Sequence, residues 1–121
     1  MAWSFTNDKP IFQQLVDIIT MDIISGKIKS GEKLKAVREL AIEAGVNPNT
    51  MQRALATVEE SGIIFTKRGD GRYVSEDPDV ILKLRNKYVE DKIDLFLESL
   101  KSLGLSDREI FDAVKQIIFK E

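Results

Sequence analysis

Neither cysteine nor histidine occurs in the 121-residue sequence. Their absence excludes disulfides, Cys/His zinc sites, thiol nucleophiles and every catalytic triad built on an imidazole. Most enzyme classes go with them. Long apolar runs are missing as well, because charge interrupts each hydrophobic stretch within a few residues, and no basic segment followed by an apolar run opens the chain. Neither a membrane span nor a secretory leader is expected, and a cytoplasmic protein is. Gly69-Asp70-Gly71 lacks the lysine and hydroxyl of a nucleotide-binding loop. The carboxylates Asp17, Asp22, Glu59 and Glu60 have no partnered base or glycine-lined pocket, so they read as solubilising groups. No cofactor and no metal are expected.

What is present is an ordinary globular composition, 43% hydrophobic and 31% charged, sufficient for one domain or a small domain with a helical appendage. The net charge is −2, but it is unevenly spread. Residues 1–75 carry 10 basic and 9 acidic side chains, and residues 76–121 carry 8 and 11. Residues 27–75 alone hold 9 basic and 6 acidic groups, and local charge governs binding to phosphates more than the total does.

No internal repeat or low-complexity tract appears. The clearest seam is the polar run Ser75-Glu76-Asp77-Pro78-Asp79, which divides the chain into residues 1–75 and 76–121. Upstream, Ile11, Leu15, Ile18, Ile19 and Ile23 recur at helical spacing, with Pro10 suited to the first helical position and Gly26 as the stop. A second, short helix holds Val37, Leu40 and Ala41 and ends at Gly45. The third has the strongest start signal: Asn47 as N-cap, Pro48 at the first position, then Met51, Leu55 and Val58 on one face, predicting a helix over 48–61. Ile63–Lys67 and Arg72–Val74 read as two strands joined by Arg68-Gly69-Asp70-Gly71. Such a hairpin is marginal alone and must pack its Ile64 or Phe65 side on the helices. The fold class is therefore mostly α with a small β-hairpin, a winged helix-turn-helix followed by a two-helix C-terminal segment.

A helix-turn-helix sets the start of its second helix in the major groove of DNA. Here that start is Asn47-Pro48-Asn49-Thr50-Met51-Gln52-Arg53. Amides of Asn and Gln match adenine N6 and N7, while an arginine pairs with guanine or a phosphate. The same residues also fit a plainer role, with Asn47 and Thr50 as caps and Gln52 and Arg53 as a solvated face. Arg38 reaches either the DNA backbone or Glu39 and Glu43 on its own surface. The basic tip from Lys67 to Arg72 suits a minor groove or simply a soluble turn, and Asp70 weakens the first reading.

In the tail, Leu82, Asn86, Val89, Ile93, Phe96, Leu100 and Leu103 alternate by four and three, an a/d seam with one polar interruption. Leu103-Gly104-Leu105 ends that helix. Ser106 and Glu109 form a capping box before a second amphipathic helix with Ile110, Phe111, Val114, Ile117 and Ile118. Two short helices cannot bury both apolar faces on each other. An intersubunit bundle answers that need, and folding back on the same chain is the alternative.

The runs Pro10-Ile11-Phe12-Gln13-Gln14-Leu15, Ser25-Gly26 through Lys33-Leu34, Val37-Arg38-Glu39-Leu40-Ala41, Gly45-Val46-Asn47-Pro48-Asn49-Thr50 and Gly69-Asp70-Gly71-Arg72-Tyr73-Val74 together resemble the amino-terminal domain of the GntR family of bacterial transcriptional regulators. Asn47 through Ala54, the Trp3-Ser4-Phe5 leader and the short tail are similar to its YtrA subfamily. The resemblance implies DNA contacts by Arg38, by Asn47, Asn49, Thr50, Gln52 and Arg53, and by Arg68 and Gly69 at the minor groove. It also implies dimerisation through the tail, by Leu82, Val89, Ile93, Phe96, Leu100, Leu103, Phe111, Val114 and Ile118. Lys35-Ala36 replaces the usual Pro-Ser, which removes a hydroxyl cap worth about 1 kcal/mol and leaves Lys35 for a phosphate contact. Arginines common in the family are absent at Pro48 and Gln52, so an operator sequence does not transfer. Phe12 replaces a frequent tyrosine and lacks the phenol.

The expected protein is a homodimeric, sequence-specific regulator of transcription, a repressor on a palindromic double-stranded DNA operator, with release by a small-molecule effector left open. Membrane is not among its expected partners. The rival is a winged helix that docks protein and not DNA, and an enzyme is the distant third.

Overall fold

The computed structural model describes residues 1–120. Helix α1 (Ile11–Ile24) buries Leu15, Ile19 and Ile23, whose four-residue spacing stacks them on one face. Pro10 stands one position earlier than the spacing predicts, as the N-cap and not the first helical residue. The leader is fastened to this helix by Gln14. Its side chain accepts from the Thr6 amide at 2.8 Å and donates to the carbonyls of Thr6 at 2.9 Å and Lys9 at 2.7 Å. Trp3 and Phe5 thereby come to rest on the core.

Helix α2 (Val37–Ala44) ends at Gly45, whose φ of 71° is left-handed and costs little only without a Cβ. Three residues later α3 (Pro48–Glu60) begins, capped by Asn47, whose side chain accepts from the Asn49 amide at 2.8 Å. Met51, Ala54, Leu55 and Val58 face inward against α1 and α2. The opposite face, with Asn49, Gln52 and Arg53, is exposed.

Strands β1 (Ile64–Lys67) and β2 (Gly71–Val74) pair antiparallel, Ile64 opposite Val74 and Lys67 opposite Gly71. Ile64 and Val74 are buried and Phe65 is 40% exposed, so the Ile64 side is the one that packs. The far edge of β2 is covered by a stretch the strand pattern missed. Gly31 N donates to Val74 O at 3.0 Å, Val74 N to Glu32 O at 2.9 Å, and Leu34 N to Arg72 O at 2.9 Å. Residues 31–34 have no β-branched or aromatic side chain to announce this.

Helix α4 (Pro78–Lys101) starts within the polar seam. The chain nevertheless divides into compact units inside α4, as Met1–Arg85 and the residues from Asn86 on. The reason is apolar: Val80, Ile81 and Leu84 pack on the core of the first unit. In the second unit, Gly104 (φ 90°) leads to α5 (Asp107–Ile118), which carries the expected capping box between Ser106 and Glu109. Leu103 falls beyond the end of α4, in the turn, with its amide on Leu100 O at 3.0 Å. Of the residues of this unit that are described, Ile110 alone is a buried hydrophobic. Ile93, Phe96, Leu97, Phe111 and Val114 line an open groove of about 430 Å³.

Candidate nucleic-acid interface

The three-residue turn Gly45-Val46-Asn47 presents the first turn of α3 to solvent. Asn47, Asn49, Gln52 and Arg53 are exposed and Thr50 is half-buried. Asn47 spends its side-chain oxygen on the cap and keeps an NH₂ with two donors. Its capping role and an outward-facing role are thus compatible. Arg53 does not extend freely: its guanidinium lies over the Phe12 ring of α1, 4.5 Å from the centroid.

Beside it, α2 begins at Ala36 with no side-chain cap, as expected from the missing hydroxyl. Lys35 is paired with Glu43, which holds the ammonium above its ordinary range and the Glu43 carboxyl below its own. A phosphate would have to compete with Glu43 for Lys35. Glu43 thus pairs with Lys35 and not with Arg38, which is exposed and has no ion pair among the described residues.

The hairpin has a charge plan of its own. Asp70 does not point outward as a repelling charge. It accepts from Lys33 Nζ at 2.9 Å and from the Tyr73 hydroxyl at 2.7 Å. The Lys33 hydrogen bond, followed by that of Tyr73, depresses the Asp70 carboxyl, and Asp70 in turn raises Lys33 and Tyr73. A depressed carboxyl stabilises the fold above its unfolded pKa and loses that effect as pH falls through its folded one. The network therefore opens in acid and is intact at neutral pH. Lys67 sits 4.1 Å from the Tyr73 ring centroid, Lys33 Nζ lies 6.0 Å from it, and Phe65 stacks on the ring at 6.1 Å. At the base, Glu59 of α3 accepts from Thr66 at 2.7 Å and Arg72 Nε at 3.2 Å, tying α3 to the hairpin. Lys33, Lys67 and Arg72 are thus engaged. Arg68, next to Gly69 (φ 77°), is exposed with no ion pair among the described residues.

Sequence reasoning did not find the Phe12 platform, the Glu59 tie or the Lys33 to Asp70 pair. Each joins residues far apart in the chain, and the sequence carries no periodic signal for them.

Residues 11–74 match the family described as bacterial regulatory proteins, gntR family. The chain belongs to the GntR family. Among its relatives, the HTH-type transcriptional repressor YtrA of Bacillus subtilis is 39% identical over 115 residues, spanning 89% of this chain and 84% of that one. A solved GntR family transcriptional regulator from Listeria monocytogenes superposes with a TM-score of 0.85 at 40% identity, covering 93% of this chain and 98% of that one. The DNA-binding domain of AraR, solved in complex with operator ORX1, is 25% identical with a TM-score of 0.55, covering 60% of this chain and 93% of that domain.

This GntR protein is accordingly a DNA-binding transcriptional regulator with a winged helix-turn-helix, and its family and relatives are regulators and not enzymes. Among the described residues no helix is long and apolar enough to cross a membrane.

Proposed function

We propose that the protein is a cytoplasmic homodimer that represses transcription by occupying a palindromic operator. In this reading the first turn of α3 reads base edges through Asn47, Asn49, Thr50 and Gln52, with Arg53 beside them. Arg38, Lys35 and α2 hold the phosphate backbone, and Arg68 and Gly69 approach the minor groove. The domain boundary belongs to the same reading, with residues 1–75 as the DNA-binding part and 76–121 as the dimerisation tail. The observation that carries it is the face of α3: an apolar side fully inserted in the core and a polar first turn left open to solvent.

Two-fold symmetry then sets the half-sites one turn of DNA apart, about 34 Å, or a multiple of it. The apolar face of the tail supports the dimer, through Leu82, Val89, Ile93, Phe96, Leu100, Leu103, Phe111, Val114 and Ile118. Release by a small-molecule effector rests on the family alone, since no described residue marks its site.

Selecting binding sequences from a random duplex library with the full-length protein supplies the operator. On that duplex Arg38→Ala should weaken binding about tenfold or more at fixed salt, the scale of a lost charge-assisted backbone contact. The dimer should persist in light scattering. An unchanged gel-shift midpoint would reject the role given to Arg38.

A further inference from the structure

We infer that Phe12 is a positioning residue for Arg53, and that the guanidinium it seats meets the DNA backbone and not a base edge. The inference rests on the proposed reading of α3 as the helix that meets the duplex.

Arg53 is exposed and, among the described residues, forms no ion pair. A solvated arginine of this kind ordinarily samples many rotamers. Here Cζ lies 4.5 Å from the Phe12 centroid, and Phe12 is itself half-buried and packed on the core. The ring is therefore a fixed platform on α1, and its negative face attracts the cation. The ring engages the charge of the guanidinium and supplies no oxygen acceptor, so N–H donors remain for phosphate oxygens, which a guanidinium binds in a fork.

The seat also limits reach. Base edges lie at the floor of a groove about 8.5 Å deep, and an arginine reads them by extending away from the protein. One folded onto a ring of the neighbouring helix stays near the protein surface, where the sugar-phosphate rim passes. Asn49 and Gln52, exposed on the same helix without such a tether, are the side chains left to reach the floor. The phenol absent at position 12 is thus not a simple loss of one phosphate contact, because the ring directs another.

The test uses full-length protein and the tightest duplex that the wild type selects from a random library. Arg53→Ala should lower affinity about tenfold, reduce the slope of log affinity against log salt by about 1 and leave the selected sequence unchanged. Phe12→Leu should weaken binding about threefold, whereas Phe12→Tyr, which keeps the ring and adds a phenol able to meet a phosphate, should bind at least as tightly as the wild type. The Phe12→Leu/Arg53→Ala double variant should bind no worse than Arg53→Ala alone. Arg53→Lys sits at an exposed position where folding is not at stake, keeps the charge and loses the planar fork of donors that the ring seats. It should match Phe12→Leu.

Wild-type affinity in both Phe12→Leu and Arg53→Lys, or additive losses in the double variant, would refute the seat. Relaxed preference at one base pair in Arg53→Ala with an unaltered salt slope would refute the backbone contact. A wild-type protein that selects no duplex would instead overturn the DNA reading itself, before any variant is compared.

Discussion

Phe96→Asp and Phe111→Asp, made together, should convert the proposed dimer to monomer and lower operator affinity about a hundredfold or more. Phe96 is 46% exposed and Phe111 56% exposed, and both line the apolar groove of the second unit. Large apolar side chains in contiguous exposed patches mark association surfaces. Carboxylates placed there would have to be buried unpaired in any subunit interface. Both side chains are about half exposed and neither belongs to the capping box of α5, so helical circular dichroism should persist. The affinity loss follows from geometry. Two linked half-site readers engage the second half-site intramolecularly, so their overall avidity exceeds the affinity of one reader by about 10² to 10⁴. Light scattering that still reports a dimer would remove the tail from the assembly.

Leu55→Ala is expected to have the largest effect on stability. Leu55 is 1% exposed on the inner face of α3 and belongs to the cluster with Leu15, Ile19 and Leu40. Truncating a leucine in such a place costs about 2–5 kcal/mol, from lost burial and the cavity left behind. A small domain has about 5–15 kcal/mol in total. Each kcal/mol lowers the thermal midpoint by about 4–8 °C in a domain of this size, so chemical and thermal unfolding should both report the change readily. DNA affinity of the fraction that remains folded should alter little, because Leu55 faces away from the exposed turn. A loss below about 1 kcal/mol would mean that the α3 core is looser than its burial indicates.

Local signals made most of the first unit legible. Asn47 and Pro48 mark the start of α3 and Gly62 its end to within a residue, because a cap oxygen, a fixed φ and a missing Cβ act within a few residues of chain. The apolar spacing of Leu15, Ile19 and Ile23 marks the buried face of α1 in the same way. Non-local features were not legible. The hydrogen-bond ladder that joins residues 31–34 to β2 is made of backbone atoms, which leave no mark on side-chain pattern. Lys35 and Arg38 read alike as cations, yet one is paired with Glu43 and the other is not. Asp70 looked like a penalty at the tip and proves to be a brace for it, because Lys33 comes from the segment that flanks β2. Regular a/d spacing carried the tail seam through Leu103, whereas α4 stops at Lys101, where the left-handed Gly104 turn takes over.

The central claim is that the exposed turn of α3, with its flanking cations, meets the phosphates and bases of a duplex. The most direct test is the affinity of the full-length protein for its selected duplex, measured as salt rises from about 50 to 200 mM. With several phosphates neutralised, log affinity should fall steeply and linearly with log salt, by about three orders of magnitude for six contacts. A flat line across that range would contradict the account and favour a winged helix whose surface docks protein.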